Sequence, residues 1–309
     1  DSDGYIDRAY SDLKSYFIQG AYIKGNTLIK ALTFGGHEKT YQSWDGISND
    51  QLLENRRQNP LTYENEIDNY KQDHYQLHWN QKLNEKWSTN LGLNYTYGRG
   101  YFEQYREADS VDTYGGIVDS DTDQNGNLTG TTDLIRRRWL DNNFYVLNAS
   151  TNYNSSNLNL MFNTSYSTYS GDHFGEVIWA RNFSKGSSIR DRYYNGNGKK
   201  TDFSLFAKGS LILNNAFEFY ADFQLRNVNY KTTGYTSDLV NMLLDESYSF
   251  FNPKFGLSYK LSSQSMVYGS YSRANREPSR SDFESNENIK PEQLNDFEIV
   301  LMENDSYYI

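Results

Sequence analysis

The sequence contains no cysteine, and this absence removes several kinds of chemistry at once. Disulfide frameworks, thiolate metal sites and thiol catalysis are all excluded. No apolar run approaches the roughly 18 residues that a membrane-spanning helix needs. Proline is also scarce, with 4 residues among 309. This scarcity suits long ladders of paired strands, because proline cannot donate a ladder hydrogen bond.

Basic residues are outnumbered by acidic ones. The chain has 30 Lys and Arg against 40 Asp and Glu, and its formal net charge is -10. This balance disfavours a nucleic-acid partner, because phosphates require a basic face. The chain opens on the polar, acidic string DSDGYIDRAYSD rather than on a signal peptide. We therefore expect either a processed start or an internal fragment.

Aromatic residues are abundant. The chain has 28 Tyr, 17 Phe and 5 Trp, although only 37% of its residues are hydrophobic. Aromatic girdles at the two interfaces of a membrane would produce this composition. A transmembrane β-strand of a barrel gives only half of its residues to lipid, so low mean hydropathy does not argue against such a barrel.

The clearest strand signal is a period of two between residues 70 and 97. The apolar residues that alternate with polar ones there are Tyr75, Leu77, Trp79, Leu91 and Leu93. The period alone predicts a strand. Runs of about ten residues or more also match the length of a tilted strand that crosses a bilayer. We therefore predict an antiparallel hairpin with these apolar residues on its outer surface.

Eleven segments have strand character, and short and long connections alternate between them without exception. The segments are 13–23, 27–35, 70–83, 87–98, 138–153, 158–170, 200–213, 216–231, 251–261, 265–275 and 293–302. The short connections are 24–26, 84–86, 154–157, 214–215 and 262–265. The long connections are 36–69, 99–137, 171–199, 232–250 and 276–292. Because each antiparallel strand reverses direction, we predict all tight turns at one end of the sheet and all long loops at the other.

Parity divides each strand between lipid and lumen. The residues expected to meet lipid on three consecutive strands are Leu158, Leu160, Phe162, Tyr166, Phe203, Leu205, Ala207, Leu211, Leu213, Phe217, Phe219, Ala221, Phe223 and Leu225. The residues expected to point inward are Asp202, Lys208, Glu218, Asp222, Gln224 and Arg226. A Lys or Arg that faces hydrocarbon at the midplane costs about 2–4 kcal/mol. The lumen must therefore be polar, either filled with water or plugged.

The predicted fold class is all-β, an antiparallel transmembrane β-barrel with short periplasmic turns and long extracellular loops. Residues 1–12 are interpreted as the tail of an outward loop, and residues 306–309 as the start of a twelfth strand. An open sheet would leave two unpaired edges in lipid, which a bilayer does not tolerate. We therefore expect residues 1–309 to be a section of one larger β-barrel domain.

Seven strings carry a family resemblance when they are taken together. They are GRGYFEQY at 98–105, RRRWLDNNFY at 136–145, GDHFGEVIWAR at 171–181, KKTDFSLFAK at 199–208, FFNPKFGLSY at 250–259, YGSYSRANREPSRSDF at 268–283 and IKPEQLNDFEI at 289–299. They resemble the barrel of TonB-dependent outer-membrane receptors, particularly those of Bacteroidetes. The matches cover most of the chain.

The resemblance implies a bacterial outer-membrane barrel of about 22 strands, of which this chain would supply about half. It also implies an N-terminal plug domain and the uptake of a scarce ligand, driven by the TonB complex through that plug. No plug-like segment and no TonB-binding box is present in this sequence, so we expect the plug and the remaining strands to lie outside it. Outer-membrane lipid and a surface lipoprotein are further partners that the resemblance implies.

One loop departs from a pattern within that family. At 276–278 the string Arg-Glu-Pro has Glu where haem receptors of the family tend to have Ala, and no His stands nearby. A haem ligand is therefore not supported. We expect Arg276, Arg280 and Asp282 to pair with neighbouring loops or with the barrel wall, because a turn constrained by Pro278 is better suited to holding geometry than to adapting around a ligand.

Candidate ligand-binding residues lie where we expect outward loops or loop bases, which is where a receptor gathers its substrate. They are Arg99, Tyr101, Tyr105, Arg136, Arg138, His173, Trp179 and Arg181. The arginines at 136–138 could bind anionic ligands or lipopolysaccharide phosphates through forked hydrogen bonds, or they could pair with acidic loops. The aromatic candidates could equally belong to an interface girdle.

A weak calcium candidate occupies DTDQNG at 121–126. Asp121, Asp123 and Asn125 match positions one, three and five of an EF-hand loop, but Thr132 stands at position twelve, where a bidentate Glu is wanted. A plain polar turn is the favoured interpretation. His74 and His78 lie about 13 Å apart along one strand face, too far for one metal ion, and we expect both to point into the lumen.

No grouping of nucleophile, base and orienting residue stands out, so we predict neither an enzyme nor a cofactor. The predicted function is an outer-membrane transporter that captures a ligand on its outer loops. A passive porin, an outer-membrane enzyme and a soluble β-rich carbohydrate-binding protein remain alternatives, the last with strands of about six residues in two packed sheets. The ligand could be a siderophore, cobalamin, a glycan or a peptide.

Overall fold

The computed structural model describes residues 1–41, 43–214, 216–286 and 288–303. They form one 12-stranded sheet in which the strands neighbour one another in sequence order, and every pair is antiparallel. The strands are β1 (Ser2–Asp3), β2 (Tyr10–Lys24), β3 (Thr27–Tyr41), β4 (Ile67–Lys82), β5 (Trp87–Ser110), β6 (Thr131–Asn154), β7 (Leu158–Ala180), β8 (Arg192–Leu213), β9 (Phe217–Gly234), β10 (Leu244–Lys260), β11 (Ser265–Arg276) and β12 (Glu292–Glu303).

In the described part of the chain, helical structure is confined to the long connections. These contain α1 (Asn49–Glu54), α2 (Arg280–Ser285) and a 3₁₀ turn at Val111–Tyr114. In the described ranges, no helix has the length and apolar character needed to cross a membrane. The all-β antiparallel prediction is confirmed. A single sheet with strands of up to 24 residues does not match the two packed sheets of short strands expected of the soluble alternative.

All eleven predicted segments are strands, β2 to β12, and the hairpin over residues 70–97 is confirmed as β4 and β5. Because the strands alternate in direction, the five long connections do leave one end of the sheet. Strand β1 was not predicted: Ser2 and Asp3 pair with Ser11 and Tyr10, so residues 1–12 are not wholly loop. The strand start predicted at 306–309 and part of the turn at 214–215 lie outside the described residues.

The strands continue well past their predicted ends on the side of the long connections. The predicted end of β5 was 98, and the strand runs to Ser110. The predicted start of β6 was 138, and the strand begins at Thr131. The long connections shrink to 42–66, 111–130, 181–191, 235–243 and 277–291. The backbone ladder persists there although apolar and polar residues no longer alternate, because pairing does not require an apolar side.

The ladder register places the predicted lipid-facing residues on one side of the sheet. Directly opposed residues of an antiparallel pair share a side. Leu77 is opposed to Leu93, which in turn opposes Leu147, and Leu205 is opposed to Leu225. We call the side that carries these residues the outer side, and the opposite one the inner side. The predicted division by parity is confirmed.

A row of stacked tyrosines crosses the outer side. Tyr75, Tyr95 and Tyr145 are ladder partners on β4, β5 and β6. Their ring centroids are 5.9 and 4.6 Å apart in successive pairs. Beyond this tyrosine row, toward the long connections, the outer side carries ion pairs such as Arg99 with Asp141. We call that part of the sheet the upper wall.

The two sides can be tested with neighbouring substitutions on β8. Leu205 lies on the outer side and is 46% exposed, whereas Phe206 lies on the inner side. We expect Leu205→Lys to destabilise the folded barrel by about 2–4 kcal/mol if the outer side meets hydrocarbon. Phe206→Lys should cost much less, because its ammonium group would meet a polar lumen. Unfolding in lipid vesicles, followed by gel mobility, measures both; equal losses would contradict the assignment of sides.

Candidate functional site

Ladder parity separates the candidate ligand-binding residues into two groups. Arg136, Arg138 and His173 lie on the inner side. The outer side holds Arg99, Tyr101, Tyr105, Trp179 and Arg181. All of them except Arg181 belong to strands of the upper wall rather than to loops, because the strands are longer than predicted. Only the inner group is placed to line a lumen.

The outer-side candidates on β5 contact neighbouring strands of the wall. Arg99 Nε lies 3.4 Å from Asp141 Oδ2, and the Arg99 guanidinium lies 5.2 Å from the Trp139 ring. The Tyr101 and Trp139 rings are 4.6 Å apart, with the Arg137 guanidinium 4.3 Å from the centre of the Tyr101 ring. These contacts join β5 to β6. They engage the charge of Arg99 and the ring of Tyr101.

The weak calcium candidate is engaged with its own surroundings. Asp121 Oδ2 lies 3.1 Å from Arg181 Nε, and Asp121 Oδ1 accepts a hydrogen bond from Thr132 at 3.1 Å. Asp123 Oδ1 accepts from the backbone N–H groups of Asn125 and Asn127, each at 2.8 Å. Across the described residues, no group of three or more His, Asp or Glu could hold a metal ion. Calcium binding is untested by this geometry.

The two strand histidines lie on the inner side. His74 Nδ1 is 2.9 Å from Thr96 Oγ1, and its ring stacks on Phe34 with 4.4 Å between centroids. His78 Nε2 is 3.1 Å from Gln76 Oε1. Each ring therefore has a separate polar partner on the wall, as expected of two lumen-facing residues too far apart to share a metal.

Arg136 is built into a cap that loop residues form over the inner side of the upper wall. Its guanidinium donates to Gln104 Oε1 at 3.0 Å and to the Tyr114 hydroxyl at 3.1 Å. Tyr114 in turn donates to Asp109 at 2.6 Å. The buried residues of this cap are Tyr114, Ile117, Val118, Leu134, Val177, Ala180, Tyr193 and Tyr194. Arg136 therefore has a structural role that occupies most of its donors.

Arg138, two residues further along β6, has no such partners. Its guanidinium lies 5.2 Å from the centre of the Phe102 ring, its ladder partner. It makes neither a hydrogen bond nor an ion pair with any described residue, and its Nε is buried without a partner. The ring of Trp44 meets Phe102 edge-on at 5.6 Å and is 54% exposed. An arginine without a hydrogen-bond partner among the described residues thus lies over one aromatic ring, and a second, solvent-exposed ring lies against the first.

A second buried donor without a partner lies next to Arg138. Tyr193 is 5% exposed, and its ring covers Gly175, the ladder partner of Arg138. Its hydroxyl is buried and makes no hydrogen bond with the described residues.

His173 completes the inner group. It lies on β7 opposite Leu140 and Gly196. Its side chain is half-buried. The sequence identified this residue but placed it on a loop, whereas it lies within a strand.

Tyrosine rings lie against glycines along the inner side, a feature that the sequence analysis missed. A Cβ atom added at Gly98 or Gly100 would collide with the Tyr70 ring, and one at Gly171 with Tyr169. The missing side chains let the rings lie close to the wall. A signal was available in the strings GRG, GDHFG and NGNG, whose glycines are two or four residues apart and therefore share one side.

The connection 277–291 is fixed to the inner side by Glu277, which sequence reasoning treated only as a departure from the haem receptors. Its carboxylate is 8% exposed. It accepts hydrogen bonds from Arg226 at 2.7 and 2.9 Å and from Lys200 at 2.5 Å. Arg226 also binds Asp202 at 2.6 Å. Burial alone would raise the pKa of Glu277, but these hydrogen bonds lower it to about 2. We call this arrangement the Glu277 tether.

The residues expected to hold this loop do so only in part. Arg276 binds Glu292 of β12 at 2.8 Å, as predicted for the barrel wall. Arg280 instead binds Glu284 within α2, and Asp282 caps that helix through Ser279. Those two contacts are local because the loop turns into a short helix. Phe283, 4% exposed, packs at 6.3 Å from Tyr230 on the inner side.

Residues 15–301 match the family described as TonB dependent receptor-like, beta-barrel. The chain belongs to this family. Its members are outer-membrane proteins, so the chain lies in the bacterial outer membrane, with its outer side toward lipid and its inner side toward the lumen. The particular resemblance to Bacteroidetes receptors stays a prediction. No curated protein sequence matches the chain.

Several solved structures share the fold. The ferric-catecholate import receptor Fiu from E. coli K12, in its closed form, is 12% identical with a TM-score of 0.68; the match covers 97% of this chain and 50% of Fiu. The unliganded ferric citrate transporter FecA is 11% identical with a TM-score of 0.65, and the match covers 97% of this chain and 42% of FecA. The ferric preacinetobactin receptor BauA from Acinetobacter baumannii is 10% identical with a TM-score of 0.58, and the match covers 97% of this chain and 46% of BauA. The chain spans half of these proteins or less.

The close approach of Tyr70 to the glycines can be tested with a matched pair of substitutions. We expect Gly100→Ala to destabilise the receptor by about 1–3 kcal/mol, because the new methyl group meets the Tyr70 ring and backbone. Gly198→Ala, also on the inner side, should be neutral, since no atom lies within 4 Å of its added Cβ. Thermal unfolding measures both; equal stability of the two variants would show that the rings do not depend on the glycines.

The Glu277 tether can be tested by limited proteolysis. We expect Glu277→Gln to expose the connection 277–291 to protease and to cost about 1.5–3 kcal/mol, because it weakens charge-assisted hydrogen bonds. Because the pKa of Glu277 is lowered, the stabilisation should be complete above about pH 4.5 and lost as the pH falls toward 2. Glu292→Gln is the control, since its pair with Arg276 is exposed. Equal protease resistance in all three proteins would contradict the tether.

Proposed function

We propose that this chain is part of the barrel of an outer-membrane receptor that binds a scarce ligand at its extracellular end and imports it with energy from TonB. Residues 1–309 would form a section of one barrel domain, with the plug and the remaining strands supplied elsewhere in the protein. TonB would act through that plug. A surface lipoprotein partner stays a prediction from the resemblance alone.

The observation that carries this proposal is the inner side of the upper wall. It extends the polar lumen surface beyond the tyrosine row and brings Arg138, His173 and the tyrosines of the wall to the end where the long connections leave the sheet. A ligand arriving from outside would meet these residues first. The outer-side candidates are turned away from it, and Arg99 and Tyr101 already contact Asp141 and Arg137 of the wall.

The relatives support the import of a chelated metal. Fiu is a ferric-catecholate import receptor, FecA a ferric citrate transporter and BauA a ferric preacinetobactin receptor. A ferric siderophore is therefore the first ligand to test, ahead of cobalamin, glycans and peptides. A passive porin is the second candidate. It is disfavoured by the connection 277–291, which is folded against the inner side instead of leaving the lumen clear.

Uptake by living cells tests this function. The strain that makes the whole protein, a receptor-deleted strain and a TonB-deleted strain would each be supplied with radiolabelled ferric siderophores, cobalamin and oligosaccharides. We expect one ligand to accumulate only when both receptor and TonB are present. Accumulation that needs the receptor but persists without TonB would indicate a passive porin instead.

A further inference from the structure

We propose that Arg138 is the anchor for a carboxylate of the imported ligand, and that Phe102 and Trp44 hold a flat apolar group of the same ligand. The ligand class is therefore a planar aromatic acid or a larger molecule that carries one. The inference rests on the proposed function and specifies the chemistry of its binding site.

The first argument is the unused hydrogen-bonding capacity of Arg138. A guanidinium has five N–H donors in a planar fork that matches a carboxylate in a two-point contact. Buried donors are normally satisfied, and exceptions mark functional positions or bound groups. Arg138 Nε is buried and has no hydrogen-bond partner among the described residues, whereas the side chain as a whole is only half-buried. An acceptor from outside the described residues can therefore reach the guanidinium and bind its donors.

The second argument is the contrast with the other arginines of the inner side. Arg136 donates to Gln104 and Tyr114, and Arg226 binds both Asp202 and Glu277. These two residues hold the cap and the connection 277–291 in place. Among the described residues, the contact with Phe102 is the one side-chain interaction that Arg138 makes. Its charge is thus available to a ligand.

The third argument is position. Phe102, the ladder partner of Arg138, lies seven residues past Tyr95 of the tyrosine row, which corresponds to about 23 Å of strand. Arg138 therefore stands in the upper wall, beyond the apolar band, on the lumen side. The half-exposed ring of Trp44 lies against Phe102 at the same level. Stacking on such rings would hold a planar group beside the guanidinium.

Binding of sodium benzoate to the purified whole receptor tests the site directly. Benzoate carries both the ring and the carboxylate, and benzamide is its neutral counterpart. We expect saturation-transfer NMR titrations to show benzoate binding and at least tenfold weaker binding of benzamide. Arg138→Gln should weaken benzoate binding about tenfold or more, the loss expected for a charge-assisted two-point contact.

Arg192→Gln is the matched control. Arg192 also lies over a phenylalanine ring, that of Phe174 at 3.6 Å, but it opposes Glu176 on the outer side. Benzoate binding should therefore be unchanged in this variant.

Three results would overturn the inference: no benzoate binding by the whole receptor, equal binding of benzamide, or equal binding of benzoate by Arg138→Gln. If Arg138→Gln lowered the unfolding temperature and left benzoate binding intact, Arg138 would instead pair with another part of the whole protein. Energy-dependent uptake is measured separately. Benzoate binding without such uptake would reject the proposed import and keep the Arg138 site. Uptake without Arg138-dependent benzoate binding would keep the proposed import and reject the Arg138 site.

Discussion

The structure depends on one requirement: every backbone N–H and C=O group within the bilayer must find its hydrogen-bond partner in the protein, because lipid offers none. Among the described residues, a continuous antiparallel ladder meets this requirement for β3 to β11, each of which pairs with a neighbour on both sides. The ladder also fixes which residues oppose one another and hence which side each occupies. A slip of one residue would turn every apolar side chain of a strand into the lumen.

Neighbouring residues of the same type therefore acquire different roles. Arg137 points to the outer side, where it binds the buried Glu103 at 2.7 Å. Arg138, one residue further, points to the inner side, where it makes no hydrogen bond or ion pair with any described residue. Arg136 lies on the same side as Arg138, but its guanidinium already donates hydrogen bonds to Tyr114 of the cap and to Gln104. The residue type therefore does not determine what each of these three arginines does. The side of the sheet on which each lies, and the residues next to it there, determine its role.

The sequence predicted the part of the fold that lipid constrains and missed the part that water surrounds. Leu205 and Leu225 were placed correctly because hydrocarbon demands an apolar residue at every second position. Beyond the tyrosine row no such demand exists, so stretches such as 131–137 read as loop although they pair in the ladder. The Glu277 tether was equally hidden, because Arg226 and Lys200 are 51 and 77 residues away along the chain.

On the inner side of the upper wall, most of the surface is held in place by packing and ion pairs, whereas Arg138 makes no hydrogen bond with the described residues. The glycines allow Tyr70 and Tyr169 to lie close to the wall, and the Glu277 tether fixes a long connection against it. Both features hold the wall in one geometry without using Arg138. A site of this kind binds with little loss of conformational freedom, because its surroundings are already ordered before the ligand arrives. An acceptor that binds Arg138 need not displace a hydrogen bond made by that guanidinium within the described residues, so the selectivity of the wall there depends on the charge and shape of the ligand's acceptor.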